Sequence, residues 1–413
     1  MTSRERLRAA LNHKESDKIP VDCGAMHSSG ISGIAYNGLK KRLGISGGET
    51  RIYDVIQQLA LPEQWYLDRF SIDSVDLARV FAAEPSEWRD WSLPDGSPAK
   101  FPAWIDLEKR GKDWVCLNAK KEVIASMAGG AFYFSQAQYP LYGKQSERFD
   151  DLPDLLDKVS WVALKDPLWK NSAKKDSFPS IGQATRKLFE ETDYCFTANY
   201  GSLFFEIGQY LYRNDEFFMK MLTEPKEIIG LFDKLAELHL ANLGPFLEQV
   251  SPYADVIIFG DDLGMQTGPL ISPQLYKEMV WPWHKKIFSF VKKNSRLKTF
   301  LHSCGSFFEL IPYLIDAGLD ILNPVQTQTA GMDAKSLKEK FGKDLVFWGG
   351  GIDTQHVLAS GDEKAVRKEV RKNCEIFMKD GGFVFNPIHN MLPGIPPGNI
   401  VAMYEEVNSI GYW

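Results

Sequence analysis

The sequence contains few cysteines, no concentrated run of basic residues and no long uncharged apolar segment. Its five cysteines among 413 residues are an odd number and lie far apart, so they indicate no disulfide framework and suit a reducing cytosol. Lys and Arg number 48 against 54 Asp and Glu, which gives a formal charge of −6. Because no basic stripe is present, we expect no nucleic-acid partner.

Membrane attachment is also not expected. The longest uncharged apolar stretches are shorter than the length that spans a bilayer. The chain starts Met1-Thr2-Ser3-Arg4-Glu5, which is charged at once and lacks the apolar core of a signal peptide. These features predict a cytoplasmic protein that has no membrane partner.

Internal repeats at solenoid spacing are missing, and no glycine-rich dinucleotide-binding motif follows an early strand. The composition is that of an ordinary globular protein, with 44% apolar and 25% charged residues. A chain of 413 residues could hold two or three average domains, but α/β barrels with insertions reach this length as one domain. We therefore predict a single domain over residues 1–413.

Eight short apolar or β-branched runs predict buried strands, because a strand covered on both faces has a continuous apolar sequence. Helical patterns lie between most of them. The alternation of strand and helix favours a parallel sheet, and eight units favour an α/β fold of the closed (β/α)₈ TIM-barrel type; a doubly wound open sheet is the alternative. The predicted strands are Ile19–Cys23, Ile72–Leu77, Tyr194–Asn199, Asp255–Phe259, Lys298–Leu301, Leu319–Asn323, Leu345–Trp348 and Gly382–Phe385.

The sequence also predicts an N-terminal extension and an insertion in addition to this alternation. An N-terminal helical extension is predicted over residues 3–12, because Thr2 and Glu5 have the spacing of a capping box. Residues 85–145 are rich in Trp, Gly and Pro and include the alternating run Trp114–Leu117. This composition predicts an antiparallel hairpin insertion that covers one end of the barrel.

The strongest chemical signal is the pair His302-x-Cys304 after the fifth predicted strand. Active sites of (β/α)₈ barrels lie in the loops that follow the strands, and residues i and i+2 of an extended chain point to the same side. An imidazole nitrogen and a thiolate sulfur together suit Zn²⁺. His389, after the eighth strand, is the candidate for a third metal ligand. The alternative is a buried structural cysteine beside a hydrogen-bonded histidine.

Further polar residues follow other predicted strands. Asp261 and Asp262 come after the fourth strand, and either is a candidate metal ligand, a partner that orients His302, or a general base; the alternative is a helix N-cap. We predict catalytic roles for Asp261, Asp262 and His389. The candidate substrate-binding residues are His27, Tyr200, Gln266, Gln326 and Asn390. The three amides among them could equally satisfy loop backbone, and a lone loop histidine such as His27 is more often incidental.

Several motifs, taken in order, resemble the uroporphyrinogen decarboxylase superfamily over nearly the whole chain. The resemblance implies the same barrel fold, and the motifs are specific to the superfamily without selecting one activity within it. The matching segments are Arg4–Leu11 with Asp17–Val21, Phe70–Leu77, Gly260–Gly264 leading into Ile271–Pro273, His302–Gly305, and the ending His389–Ile400.

The decarboxylase branch of the superfamily carries an arginine-rich loop after the first strand, which binds the carboxylates of a porphyrinogen. The matching residues here, Asp22–Tyr36, contain neither Arg nor Lys. A polyanion buried without counter-charges would lose several kcal/mol. Uroporphyrinogen is therefore not the expected substrate.

The other branch comprises corrinoid-dependent methyltransferases, which hold zinc through an H-x-C pair and one further ligand near the C-terminus. His302 and Cys304 match the pair. In the best-known members the third ligand is a Cys that Pro residues follow four and seven positions later. His389 occupies that place here, with Pro393 and Pro396 at the same offsets. Since the decarboxylases also carry a His at this point, it could bind metal or hydrogen-bond substrate.

The resemblance thus implies a zinc-dependent methyltransferase. Such an enzyme would move a methyl group between a small molecule and a corrinoid (cobalamin). The small molecule would be a methylated compound or a thiol or folate acceptor, and the corrinoid would be free or bound to a partner corrinoid protein. One alternative is a metal-free decarboxylase or lyase of a small acid that uses Asp261 and His389. Another is a non-catalytic barrel that binds a tetrapyrrole or corrinoid. The oligomeric state stays open, with a homodimer among the options.

Overall fold

The computed structural model describes residues 1–80, 84–146, 148–165 and 178–411. Numbered in chain order, its strands are β1 (Ile31–Ser32), β2 (Ile52–Asp54), β3 (Leu59–Ala60), β4 (Ser74–Asp76), β5 (Trp88–Ser92), β6 (Pro98–Pro102), β7 (Asp106–Arg110), β8 (Asp113–Leu117), β9 (Val123–Met127), β10 (Ser135–Gln136), β11 (Cys195–Ser202), β12 (Val256–Gly260), β13 (Lys298–His302), β14 (Ile321–Asn323), β15 (Val346–Trp348) and β16 (Phe383–Val384). The helices are Ser3–Leu11, Gly33–Leu43, Gln64–Phe70, Leu152–Leu156, Ser160–Lys165, Phe178–Glu191, Phe205–Tyr212, Asn214–Thr223, Pro225–Val250, Pro273–Met279, Trp281–Asn294, Ile311–Ala317, Ala334–Phe341, Val357–Ser360, Glu363–Phe377 and Pro397–Asn408.

Seven parallel strands form one curled sheet in the order β4, β11, β12, β13, β14, β15, β16. The strands are short and apolar: β12 reads Val-Ile-Ile-Phe-Gly, and its first four residues are buried. Helices lie between successive strands along the chain and cover the outer face of the sheet, while side chains of the strands fill its inner face. The predicted α/β TIM-barrel fold is confirmed.

The barrel closes through Val21, which occupies the place of the first strand. Val21 forms a parallel bridge with Phe385 beyond β16. On its other side, the Val21 carbonyl accepts a hydrogen bond from the Asp73 backbone N–H at 2.8 Å. The predicted strand Ile19–Cys23 is therefore reduced to a single bridging residue. The chain turns immediately afterwards, because Asp22 accepts from the Ala25 N–H and Gly24 adopts a φ of 78°.

The N-terminal helix seals the amino end of the barrel. Its capping box is present as predicted, between Thr2 and Glu5. Arg6 pairs with the buried Asp73, and Arg8 pairs with Asp255 just before β12. The apolar face of the helix joins the side chains inside the barrel in one cluster: Leu7, Ala10, Leu11, Ala25, Met26, Cys195, Val256, Ile258, Phe300, Ile321, Val346, Trp348 and Val384.

The segment predicted as an insertion consists of antiparallel strands. β5 pairs with β6, and β7 to β10 form a four-stranded sheet in which each strand pairs with its neighbour in sequence. The run Trp114–Leu117 lies in β8. Backbone hydrogen bonds from Lys100 to Thr50 and from Phe134 to Ile56 connect these sheets to the chain around β2 and β3.

No helix within the described ranges is long and apolar enough to cross a membrane. The 26-residue helix Pro225–Val250 has the length to span a bilayer, but charged residues alternate with the apolar ones along its sequence.

Candidate metal centre

Three potential metal ligands meet at the carboxyl ends of the barrel strands. His302 ends β13, Cys304 lies in the loop after it, and His389 lies in the loop after β16. One ligand atom from each lies within 4.8 Å of the other two, and Cys304 Sγ is 3.4 Å from His302 Nε2. Tetrahedral zinc with Zn–S of about 2.3 Å and Zn–N of about 2.05 Å places such atoms about 3.5 Å apart. The donor set and the spacing therefore fit zinc.

The His302 ring is held in the tautomer that a metal requires. Asn323 Nδ2 donates to the Trp348 carbonyl at 2.7 Å, which leaves Asn323 Oδ1 facing His302 Nδ1 at 2.6 Å. Since an amide oxygen can only accept, Nδ1 carries the proton and donates it. The lone pair of His302 is then on Nε2, the atom that lies beside Cys304 Sγ.

The loop that carries Cys304 is held in place by hydrogen bonds from its backbone N–H groups to side chains of neighbouring loops. Asp262 Oδ1 accepts from the Cys304 N–H at 2.7 Å, and Gln326 Oε1 accepts from the Gly305 N–H at 2.9 Å. Gly305 has a φ of 85°, and a Cβ there would lie 2.4 Å from the Gly264 backbone. Only glycine fits this close approach. Gln326, a predicted substrate-binding residue, is thus used to position this loop.

The loop that carries His389 is fixed by its neighbour Asn390. Asn390 Oδ1 accepts from the Gly30 N–H at 2.7 Å, while Nδ2 donates to the His27 carbonyl at 2.9 Å and to Gln57 Oε1 at 3.0 Å. The ring centres of His389 and His302 are 5.8 Å apart in an edge-on arrangement. Asn390 therefore joins the last loop to the loops at the start of the chain and fixes the backbone next to His389.

Asp261, predicted to be catalytic, has no exposed surface and is not among the residues that line the cavity. Its carboxylate accepts from the backbone N–H groups of Phe204, Phe205 and Glu206 at 3.3, 3.1 and 2.6 Å, and contacts His284 Nε2 at 2.8 Å. It therefore caps the helix Phe205–Tyr212, which follows the preceding strand. The geometry therefore indicates that Asp261 has a structural role, in which its carboxylate holds the start of this helix at the mouth of the barrel.

Asp262 has a side chain that is 38% exposed and lines the cavity, with Oδ1 3.9 Å from His302 Nε2. Two further residues of the cavity wall, Glu206 and Tyr210, escaped the sequence analysis because they lie within the helix Phe205–Tyr212 and belong to no motif. Burial, with the carboxylates of Glu206 and Asp262, raises the pKa of Tyr210 well above its usual value. Its phenol stays protonated and donates to Glu206.

The remaining predicted substrate-binding residues are placed differently from one another. His27 lines the cavity, stacks on Tyr53 and contacts Asp54 through Nδ1 at 3.2 Å. Tyr200 lines a neighbouring cavity, and its hydroxyl donates to the His239 carbonyl at 2.8 Å. Gln266 is exposed in the loop after β12 and is not among the residues that line the cavity.

The cavity in front of the three ligands is lined by residues from most of the barrel loops. Among the described residues that line it, none is Lys or Arg. The lining residues are Met26, His27, Ser28, Gln57, Trp161, Asn199, Gly201, Ser202, Glu206, Tyr210, Ile258, Phe259, Gly260, Asp262, His302 and His389.

Asn323 gives the first testable consequence. Asn323→Leu removes the acceptor for His302 Nδ1, so the imidazole is free to rotate or to change tautomer. We expect zinc affinity to fall about 10- to 100-fold, the range seen when a partner that orients a ligand is lost. Competition with a chromophoric chelator measures the change. Unchanged affinity would show that Asn323 does not orient the ligand.

Comparisons with known proteins concern the family and the fold of the chain. The model of the uroporphyrinogen decarboxylase (URO-D) family matches residues 171–410. A uroporphyrinogen decarboxylase from Thioalkalivibrio sulfidiphilus (strain HL-EbGR7) is 26% identical over 190 residues, which are 44% of this chain and 51% of that protein. The match thus spans about half the length of that curated relative. The structure of a methyltransferase from Methanosarcina mazei has the same fold, with a TM-score of 0.58 and 18% identity over 99% of both chains.

Proposed function

Because the chain belongs to the uroporphyrinogen decarboxylase family, we propose that it is a zinc-dependent methyltransferase that exchanges a methyl group with a corrinoid. The methyl donor or acceptor is a small molecule, and the corrinoid is carried by a partner protein or binds as free cobalamin. The corrinoid part of the proposal depends on the resemblance of the His302-x-Cys304 and His389 positions to the methyltransferase branch.

The observation that carries the proposal is the convergence of two imidazoles and one thiol at the barrel mouth. Three protein ligands leave one tetrahedral position open, as a catalytic zinc site requires. Bound zinc would supply Lewis acidity, which either makes a donor's heteroatom a better leaving group or keeps an acceptor thiol deprotonated.

The protein residues around this centre have distinct tasks. Asn323 keeps the Nε2 lone pair of His302 directed at Cys304. Asp262 holds the Cys304 backbone and presents a carboxylate to the cavity, where it can accept a proton from an acceptor thiol. Tyr210, kept protonated, can donate a hydrogen bond to a leaving heteroatom.

Decarboxylation of a porphyrinogen is disfavoured by the charge of the cavity. The described residues that line the cavity include the carboxylates of Glu206 and Asp262, so a polycarboxylate would meet groups of like charge there. A metal-free lyase that relies on Asp261 is also disfavoured, since that side chain is fully buried and its oxygens already contact three backbone N–H groups and His284.

His389 is the least conventional of the three ligands and can be tested alone. We expect His389→Ala to weaken zinc binding at least about tenfold, because one of three protein ligands is lost. Chelator competition on the purified variant measures the affinity, and circular dichroism checks the fold. Wild-type affinity in a folded His389→Ala variant would remove His389 from the ligand set.

The activity itself is tested with zinc-loaded protein and cob(I)alamin, which gives methylcobalamin with its own visible spectrum when it accepts a methyl group. A panel of methylated oxygen, nitrogen and sulfur compounds tests one direction of transfer, and methylcobalamin with small thiols tests the other. We expect turnover in one direction that the Cys304→Ser variant lacks. Turnover by neither route, with zinc bound, would contradict the proposal.

A further inference from the structure

A separate cavity lies at the amino end of the barrel, whereas the three metal ligands lie at the carboxyl ends of the strands. It forms where the last turn of the N-terminal helix meets the residues that lead into β12 and β13. Its volume is about 270 Å³, close to the lower end of the roughly 300–1,000 Å³ that is typical of small-molecule pockets. The described residues that line it are Arg8, Leu11, Asn12, Asp255, Arg296 and Lys298.

The lining of this cavity carries an excess of positive charge. Arg8, Arg296 and Lys298 are cations, and Asp255 is the one carboxylate among the described lining residues. Arg8 Nε donates to Asp255 Oδ1 at 2.7 Å, so these two charges balance each other. The charges of Arg296 and Lys298 remain, and cations held close together repel each other unless an anion lies between them.

These cations also have donors that the protein does not use. Arg8 Nη2 is buried and has no hydrogen-bond partner among the described residues, and a buried donor without an acceptor is destabilising. The Lys298 ammonium group forms no hydrogen bond or ion pair within the described part of the chain. Arg296 donates Nε and Nη2 to the carbonyls of Ser251 and Pro252 at 3.2 and 2.8 Å, which fixes its position but leaves its charge unbalanced.

The neighbouring acceptors are already occupied. Asp320, just before β14, pairs with Lys292 Nζ at 2.8 Å and accepts from the Thr299 N–H at 2.9 Å. The Arg8 carbonyl, near the end of the N-terminal helix, accepts from Asn12 Nδ2 at 2.8 Å. The positive charge of the cavity is therefore left for an anion from outside the chain.

We propose that this cavity binds a phosphate dianion, either free or as the monoester group of a small molecule. A dianion matches the excess of two positive charges. The guanidinium group presents its N–H donors in a fork that suits phosphate oxygens, and the lysine adds a point charge. The inference does not depend on the proposed function, because the cavity lies at the other end of the barrel.

Calorimetric titration of the full chain with inorganic phosphate, at constant ionic strength, tests the site. We expect Lys298→Gln to weaken phosphate binding at least about fivefold, since it removes one of the unbalanced cations. Lys298→Arg keeps the charge and should bind phosphate as the wild type does. Lys335→Gln, on an exposed helix face, is the control for the loss of one lysine and should also keep the affinity of the wild type.

A second titration, with glycerol 3-phosphate, distinguishes the two forms of the ligand. Tighter binding than that of inorganic phosphate would support a monoester, and equal affinity would support free phosphate. Phosphate bound at the metal centre would be common to all the variants, so it cannot produce the expected difference between Lys298→Gln and Lys335→Gln. Equal phosphate affinity in these two variants, or no binding by the wild type at millimolar concentration, would overturn the inference.

Discussion

Cys304→Ser is expected to weaken zinc binding by at least about 100-fold and to abolish methyl transfer while leaving the fold intact. A serine hydroxyl is a far poorer zinc ligand than a thiolate, and the loss of a direct ligand should exceed the 10- to 100-fold typical of an orienting partner. The fold should survive because Cys304 is only partly buried and its loop is fixed through backbone contacts from Asp262 and Gln326. Chelator competition and thermal denaturation measure the two effects.

A second cysteine provides the control for this variant. Cys116 is buried in β8 of the insertion, away from the barrel mouth. Cys116→Ala should therefore keep the zinc affinity of the wild type, whatever it does to stability. Equal zinc affinity in Cys304→Ser and Cys116→Ala would exclude the thiol from the centre.

Asp261→Ala is expected to lower the free energy of unfolding by about 3–5 kcal/mol, since it leaves buried partners without an acceptor. Three backbone N–H groups at the start of the helix Phe205–Tyr212 and the fully buried His284 depend on this carboxylate. Urea denaturation measures the loss, and a variant too unstable to purify would meet the same expectation.

Its neighbour Asp262 is the matched comparison. Asp262 is partly exposed and accepts a hydrogen bond from the Cys304 backbone, so Asp262→Ala should cost less stability than Asp261→Ala, about 2 kcal/mol. If the Asp261→Ala and Asp262→Ala variants were equally stable, the structural role inferred for Asp261 would be contradicted, and the prediction of a catalytic role would stand.

The fold could be predicted from the sequence because its strands carry a strong local signal. Continuous apolar runs and a helix between most of them already imply a parallel barrel. The first strand is the exception. Its apolar run is real, but the chain turns after Val21, because Asp22 and Gly24 build a loop that tertiary contacts with Phe385 and Asp73 hold in place. No local pattern carries that information.

For the candidate site, too, some residues could be predicted from the sequence and others could not. His302 and Cys304 are close in the sequence, so their convergence follows from strand geometry, and the structure brings His389 to them. The adjacent residues Asp261 and Asp262 cannot be distinguished by sequence. Only the structure shows that the carboxylate of Asp261 contacts the start of a helix, whereas Asp262 lines the cavity. Glu206 and Tyr210 have ordinary helical spacing, which gives no sign that this helix borders the site.

The most direct test of the account is the zinc content of the purified wild-type chain, measured by elemental analysis before and after incubation with zinc and removal of the excess. We predict about one zinc per chain, held by the two imidazoles and the thiol that converge at the barrel mouth. A folded protein that retains no zinc even after reconstitution would contradict the metal centre and, with it, the proposed zinc-dependent methyl transfer.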